Sequence, residues 1–567
     1  MLREYALVAD GERGALVGPR GDVVWWCVPR WDDDAVLSSL IGGDGVYGVT
    51  PRDRFVWGGS YEPGSLIWRS RWVTMNAGVV QCREALALPA DPHTAVLLRR
   101  VEAGPEPARV AVVLDLRAGF GRQPMTDLRR HPDGTWTACT GGLHLRWSGG
   151  AEARVDDAGR LAMDLTLPAG SHHDLVLEVG DRPLGAVVAA GTAWERTERA
   201  WREAAPGLTH SVAPRDARQS WAVLHGLTGR DGGMVAAATM SLPERAERHR
   251  NYDYRYVWVR DQCYAGLAAA AAGLEELFDT AVGFVTARLL ADGDRLRPAY
   301  RGDGSAVPQE RDLHLPGYPG GQDVAGNWVN QQFQLDAVGE VLQLLARAAA
   351  LDRLDRDGRR AMRLGVDVVA RAWLRPDAGI WELHDHWWTQ SRLAAVAGLH
   401  AVAGQLTARE AGPVLDLAET VLAETTTRCL DPSGHWRRSP THPGVDASLL
   451  LPPLRGAPAA DDPRTLATVE QVRRELVREG YVYRFRAGDQ PLGEEEGAFL
   501  LCGFLMAMAE RQQGNEVAAF RWFERTRAAC GSPGLFAEEY DVEQRQLRGN
   551  LPQAFVHALM LETAVTL

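Results

Sequence analysis

From residue 185 to residue 207 the chain reads Gly185-Ala186-Val187-Val188-Ala189-Ala190-Gly191-Thr192-Ala193-Trp194-Glu195-Arg196-Thr197-Glu198-Arg199-Ala200-Trp201-Arg202-Glu203-Ala204-Ala205-Pro206-Gly207. Apolar residues recur at helical spacing up to Ala205, and Pro206-Gly207 ends the pattern. This stretch separates two periodicities. Upstream, short β-branched and aromatic runs alternate with Gly, Pro and Asp turns. Examples are Val23-Val24-Trp25-Trp26-Cys27-Val28, Leu66-Ile67-Trp68-Arg69-Ser70-Arg71-Trp72-Val73-Thr74, Val110-Ala111-Val112-Val113-Leu114 and Leu161-Ala162-Met163-Asp164-Leu165. Regularly spaced short strands with turns between them predict an antiparallel β-sandwich over residues 1–184. Residues 185–215 read as a linker helix. Downstream, over 216–567, roughly twelve helical segments follow with almost no strand pattern. They begin near Asp216, Asp261, Glu276, Trp328, Asp355, Thr389, Thr407, Asp446, Arg464, Glu495, Asn515 and Pro552. Several come as adjacent pairs with short breaks, as antiparallel hairpins do. Six such pairs without a heptad seam predict a closed (α/α)6 barrel; a helical solenoid is the alternative, but no fixed-period repeat is present. In a barrel of this kind the longer loops joining the helices carry the site.

The composition narrows the chemistry. The 567 residues hold 62 basic and 74 acidic side chains, a net charge of −12, and every basic one is arginine. Without a lysine there is no Schiff-base chemistry on an amine, no Walker A phosphate loop and no kinase strand lysine. The acidic balance argues against nucleic-acid and anionic-membrane partners. No apolar run reaches the ~18 residues of a membrane span, and the N-terminal residues have no signal-peptide core. Seven singly scattered cysteines read as reduced thiols of a cytoplasmic protein. No HExxH, Cys/His cluster, GxSxG elbow or helix-opening GxGxxG occurs, so neither metal nor cofactor is expected. Tryptophan is in excess, 19 against 12 Tyr and 12 Phe. Core packing accounts for many of these, but indole faces with Asp, Glu and Arg also suit sugar rings.

Four stretches combine unusual residues. Asn251-Tyr252-Asp253-Tyr254-Arg255-Tyr256-Val257-Trp258-Val259-Arg260-Asp261 opens a helix and offers Tyr254, Trp258, Arg260 and Asp261 to vicinal hydroxyls; a capping Asp261 in an ion pair is the plainer reading. Gly379-Ile380-Trp381-Glu382, followed by Trp387-Trp388, sets a carboxylate among indoles, an environment that favours the protonated acid. Gly493-Glu494-Glu495-Glu496-Gly497 is either helix-terminal charge on a solvated face or, through Glu496, a hydrogen-bonding group for substrate. Ala537-Glu538-Glu539-Tyr540-Asp541 supplies a second carboxylate that can face Glu382 across a barrel mouth. Two carboxyls about 6.5–9.5 Å apart with a water between them make an inverting glycosidase.

In this order and over nearly the whole chain, these stretches resemble glycoside hydrolase family 15, the family of glucoamylases, bacterial trehalases and glucodextranases. Tyr5-Ala6-Leu7-Val8-Ala9-Asp10-Gly11 and Trp26-Cys27-Val28-Pro29-Arg30-Trp31-Asp32 are similar to the start of its bacterial β-sandwich domain. Gly233-Met234-Val235-Ala236-Ala237-Ala238 through Asp261, Asp446-Ala447-Ser448-Leu449-Leu450-Leu451, and Asn550-Leu551-Pro552-Gln553-Ala554-Phe555 resemble segments of its (α/α)6 barrel. The resemblance implies that Glu382 is the general acid and Glu538 the general base. It also implies that Arg260 and Asp261, with Arg484, grip the glucose ring.

The chain departs from the family's pattern at several places. Where the family commonly reads Gly-Tyr-Arg-Gly and Arg-Ile-Gly-Asn, this chain has Gly317-Tyr318-Pro319-Gly320 and Val324-Ala325-Gly326-Asn327. His384 stands at a usual Arg position, and Ser391-Arg392 replaces the usual Ser-Lys, which marks Arg392 as a specificity position. The expectation is therefore a cofactor-free, inverting exo-α-glucosidase of glucoamylase type, acting on a small carbohydrate. An α,α-trehalase, or a carbohydrate-binding or specialised-metabolism homologue with an altered aglycone site, is the alternative.

Overall fold

The computed structural model describes residues 1–75, 78–244, 251–319, 321–486 and 497–567. Ahead of residue 181 the strands form antiparallel sheets. One has eight strands, in the order Thr126–Arg130, Trp136–Thr140, Leu143–Ser148, His172–Gly180, Thr94–Ala103, Val79–Leu86, Trp68–Thr74 and Phe55–Tyr61. A second has four: Arg154–Val155, Leu161–Leu167, Ala108–Asp115 and Val46–Pro51. Inward residues of both, among them Leu97, Val101, Val110, Val112, Leu161 and Leu177, share one core, the packing of a sandwich.

A third sheet is the four-stranded meander Ala6–Ala9, Gly14–Val17, Val23–Cys27 and Ala35–Leu37. Both of its faces are buried: Val8, Val17, Val23 and Trp26 enter the sandwich core, whereas Leu7, Leu16, Val24 and Trp25 enter the core of the helical region, with a register shift at Val24 breaking the alternation. Burial on both faces explains why Val23-Val24-Trp25-Trp26-Cys27 is apolar throughout instead of alternating.

Helix α1 (Ala190–Ala204) buries Ala193, Trp194, Thr197 and Trp201. It starts five residues later than the helical period begins at Gly185, because the carbonyls of Gly185 and Ala186 accept hydrogen bonds from the Arg146 guanidinium at 2.8 and 2.9 Å. Beyond it, the described residues form alternating outer and inner helices. The outer ones are α2 (Pro214–Leu227), α4 (Glu275–Asp292), α6 (Arg356–Ala372), α8 (Ala408–Cys429), α10 (Pro463–Glu475) and α12 (Glu516–Arg527). The inner ones are α3 (Val259–Ala272), α5 (Leu335–Ala350), α7 (Thr389–Ala403), α9 (Leu451–Leu454, continuing the 3₁₀ turn Ala447–Leu450), α11 (Leu500–Gln512) and α13 (Ala554–Thr566). Each inner helix packs on the next, and α13 packs on α3, so the ring closes into the (α/α)6 barrel.

The sequence separates the two rings. Outer α6 buries one stripe, Gly358, Ala361, Met362, Gly365, Val368 and Val369, at helical spacing. Inner α5 is buried continuously from Leu335 to Ala346. Helix α5 begins beyond Trp328, where a 3₁₀ turn (Trp328–Gln331) intervenes. The helix expected near Glu495 begins at Leu500, and Glu495 and Glu496 lie outside the described residues.

Candidate active site

All six inner helices present their N-termini to one end of the barrel, where the long loops from the outer helices arrive. Unpaired N–H groups and the helix dipoles make that end favourable for carboxylates. A cavity opens there, with walls that include Tyr254, Trp258, Arg260, Asp261, Trp381, Glu382, Arg484 and Glu538.

Glu382 sits in a hairpin closed by paired backbone hydrogen bonds between Asp377 and His386 (2.9 Å each). Gly379 and Glu382 both have positive φ, +67° and +53°. For a glutamate the left-handed region costs about 1–3 kcal/mol, a strain the hairpin and barrel impose in aiming the carboxylate inward. A Cβ on Gly379 would meet Trp388 Cδ1 at 2.6 Å, so that turn requires glycine. Trp258 Nε1 donates to Glu382 Oε1 at 2.7 Å, and Arg260 Nη2 donates to the same oxygen at 3.0 Å. Both donors converge on Oε1, which leaves Oε2 as the oxygen suited to carry a transferable proton.

Trp258 and Arg260 are placed by the start of α3, where Val257–Trp258 pairs with Ala299–Tyr300. Arg260 also donates to Gln334 Oε1 (2.7 Å) and to Asp336 Oδ2 (3.4 Å). Its guanidinium thus holds the Glu382 carboxylate in place as well as lining the cavity. Asp261, in the first turn of α3, lines the cavity nearly fully buried, and that burial pushes its carboxyl up from 3.8 to about 7.

Across the cavity, Glu538 precedes the strand Glu539–Asp541, and its carbonyl accepts from Leu500 N at 3.1 Å. The two glutamates of this pair have separate tasks. Glu539 is fully buried and accepts from Gly497 N (3.1 Å) and Arg484 Nη2 (3.3 Å). Glu538 faces the cavity, where burial first and the neighbouring Glu244 second push its carboxyl well up from the ordinary range. Tyr254 Oη lies 3.3 Å from Glu244 Oε1 and 3.5 Å from Glu538 Oε2. Arg484 lies over Phe499, its guanidinium carbon 4.4 Å from the ring centroid. Trp381 donates through Nε1 to Asp446 (2.9 Å) and presents its ring to the cavity.

Three expected substrate contacts lie elsewhere. Trp387 is in the barrel core, with the guanidinium carbons of Arg392 and Arg428 at 4.6 and 5.1 Å from its ring. Arg392 is fully buried: it pairs with Asp377 and donates to the carbonyls of Trp373, Arg375 and Trp388. Trp388 lines a small adjoining pocket, its Nε1 donating to His384 O at 3.2 Å. All three follow the Asp377–His386 hairpin, Arg392 within α7, and none of them is in the wall of the Glu382 cavity. Glu496 lies outside the described residues.

The cavity also contains residues that the sequence patterns did not single out: Glu244, Asn327, Trp328 and Gln553. Asn327 and Gln553 fall in stretches compared above with the family but without a role of their own, Trp328 is an indole after Gly326-Asn327, and Glu244 carries no local signal. Among the described residues no group of three His, Cys, Asp or Glu has a metal-binding arrangement.

A carboxylate with one oxygen clamped, a second buried carboxylate on the same cavity and a wall of indoles, at the N-terminal end of an (α/α)6 barrel, define a glycoside hydrolase. Residues 227–565 match the family model described as glycosyl hydrolases family 15, and residues 2–203 match that of a trehalase-like N-terminal domain. The chain belongs to glycosyl hydrolases family 15. It is 29% identical to the trehalase of Mycolicibacterium smegmatis, over all of this chain and 91% of that protein. To the trehalase of Mycobacterium tuberculosis it is 28% identical, over all of this chain and 89% of that one. A bacterial glucoamylase complexed with acarbose shares the fold, with a TM-score of 0.71 over the whole chain and 94% of the other, at 14% identity.

Proposed function

We propose that this glycoside hydrolase cleaves α-glucosides with inversion, and that α,α-trehalose is its substrate. The observation that carries the reading is the pair of carboxylates on one cavity, with both donors on Glu382 directed to a single oxygen. Glu382 Oε2 would give its proton to the glycosidic oxygen, and the charge left behind is stabilised by the Trp258 indole N–H and the Arg260 guanidinium. Glu538 would take the proton of a water that attacks the anomeric carbon from the opposite face. Asp261 and Arg484 would accept from and donate to the hydroxyls of the bound glucose.

Trehalose is favoured over longer α-glucans because the relatives matched along the full chain are trehalases. The second reading, an exo-α-glucosidase acting on α-gluco-oligosaccharides, is favoured by one feature. Pro319 and Val324 stand where the family pattern described above has arginines, a departure that sets this chain apart from the usual pattern. Glucose release from trehalose, maltotriose and isomaltose separates the readings. Trehalose alone turned over supports the first and maltotriose preferred supports the second. Release from none would overturn both and leave a binding protein.

A further inference from the structure

His557, near the start of α13, is fully buried, and its two ring nitrogens face two different parts of the molecule. Nε2 lies 3.2 Å from the backbone nitrogen of Phe536, and Nδ1 lies 3.1 Å from Ser220 Oγ on α2. The Phe536 N–H can only donate, so Nε2 is the accepting nitrogen. A neutral imidazole carries one proton, which therefore sits on Nδ1 and is donated to Ser220 Oγ. The Ser220 hydroxyl donates in turn to Met560 Sδ at 3.2 Å, three residues beyond His557 on the same face of α13. Burial alone pushes the imidazole down from 6.5 to about 3, so the ring stays neutral above about pH 4. Phe536 is held on its other side as well. Its carbonyl accepts from Gln553 N at 2.8 Å, and its ring meets the imidazole edge-on, with centroids 5.1 Å apart. Both polar groups of the Phe536 backbone are thus engaged by the start of α13, two residues ahead of Glu538. On the far side, Glu538 O accepts from Leu500 N at 3.1 Å. Of these three backbone anchors around Glu538, only the one to His557 depends on a side chain.

We infer that His557 is a positioning residue for the general base: its neutral imidazole anchors residues 536–538 on α13 and so sets where the Glu538 carboxylate meets the attacking water. The inference rests on the reading of Glu538 as the base. An apolar side chain at this position leaves the Phe536 N–H buried without an acceptor, a cost the segment can relieve only by turning that N–H elsewhere. A displacement of about 1 Å in a group that must reach a water is enough to cost about 100-fold in rate. Arg260 and Asp261 belong to α3 and take no part in this hydrogen-bond chain, so the grip on the glucose ring is spared.

Two variants and one spectrum test this. His557→Leu removes the acceptor and should lower kcat by about 30- to 100-fold, with KM within about threefold of the wild type. His557→Gln returns an amide oxygen that can accept from Phe536 N, and should recover kcat to within about fivefold of the wild type. α-Glucosyl fluoride locates the loss: fluoride departs without a proton from Glu382, so a defect at the base persists with this substrate. Wild-type kcat in folded His557→Leu, or a loss that vanishes with α-glucosyl fluoride, would overturn the inference. The spectrum needs neither turnover nor the Leu variant. In wild-type enzyme with nitrogen-15 histidine, the NMR signals missing from His557→Gln should be those of a neutral imidazole protonated at Nδ1, unchanged between about pH 5 and 8. The Nε2-protonated tautomer or an imidazolium would overturn the inference, even if no glucoside is hydrolysed and the functional reading itself fails.

Discussion

Residue by residue, the site depends on which way a side chain is turned. Glu382 is held in a left-handed turn with one oxygen clamped, so Glu382→Gln should cost at least ~10²-fold in kcat while the thermal midpoint barely moves. Activity near wild type would remove it as the acid. Arg392 has the opposite character. Its guanidinium serves Asp377 and three backbone carbonyls, contacts that a lysine cannot all replace. Arg392→Lys should therefore destabilise the fold by roughly 2 kcal/mol or more, read as a lower denaturant midpoint, with substrate preference unchanged. A changed preference with unchanged stability would return Arg392 to the role its sequence position suggests. Asp261 adds a pH dependence. Its folded-state value of about 7 exceeds the ordinary 3.8, so its contribution to stability is intact below about pH 4 and is lost as pH rises towards 7. The stability of Asp261→Asn relative to wild type should accordingly rise between pH 4 and 7, and a pH-independent difference in thermal midpoint would contradict that assignment. Residue types and motif order point to Glu382, Glu538, Arg260 and Asp261, four residues that the fold brings to one cavity. Direction was not legible: nothing in Trp387-Trp388 or Ser391-Arg392 distinguishes a side chain in front of the cavity wall from one behind it. Glu244 also escaped notice, since Glu538, the carboxyl it pushes up, lies at the other end of the barrel sequence.

Among the elements, helices α5 and α7 approach so closely that backbone meets backbone. A Cβ on Gly339 would fall 2.6 Å from the carbonyl of Ala394, and one on Gly398 would fall 2.6 Å from the carbonyl oxygen of Gly339. Gly339→Ala should destabilise by about 1–3 kcal/mol even though alanine is the better helix former, because two inner helices must separate. Thermal melting checks this, and a stabilised variant would show that the contact is loose. The outer helices were readable from their apolar stripes, as α6 shows. Inner α5 is buried on all sides, its polar stripe of Asp336, Glu340 and Gln343 included, so its period does not reveal which face meets the core. The start of α1 was misread for a different reason: the Arg146 guanidinium captures carbonyls that local propensity would have given to the helix.

For the molecule as a whole, the sandwich and the barrel share side chains. Trp25 Nε1 donates to Ala238 O at 2.8 Å. Arg255, just ahead of the strand Val257–Trp258, pairs with Asp253 and donates to Asp33 O at 2.7 Å. Asp253 in turn accepts from Gly326 N, fixing the loop that carries Asn327 and Trp328. Residues of the meander and of the barrel belong to one core. Calorimetry should therefore show one cooperative transition, with two separate transitions contradicting a shared core. Arg255→Met, which leaves Asp253 buried without its cation, should cost about 3–5 kcal/mol and lower activity through the loop. This coupling makes the N-terminal region part of the site's construction. The most direct test of the mechanism is the anomeric form of the first glucose released from α,α-trehalose, followed by proton NMR before mutarotation. Inversion at one anomeric carbon, with Glu538 delivering the water, predicts β- and α-glucose in equal amounts from the start. Initial release of α-glucose alone would mean retention and would contradict the account.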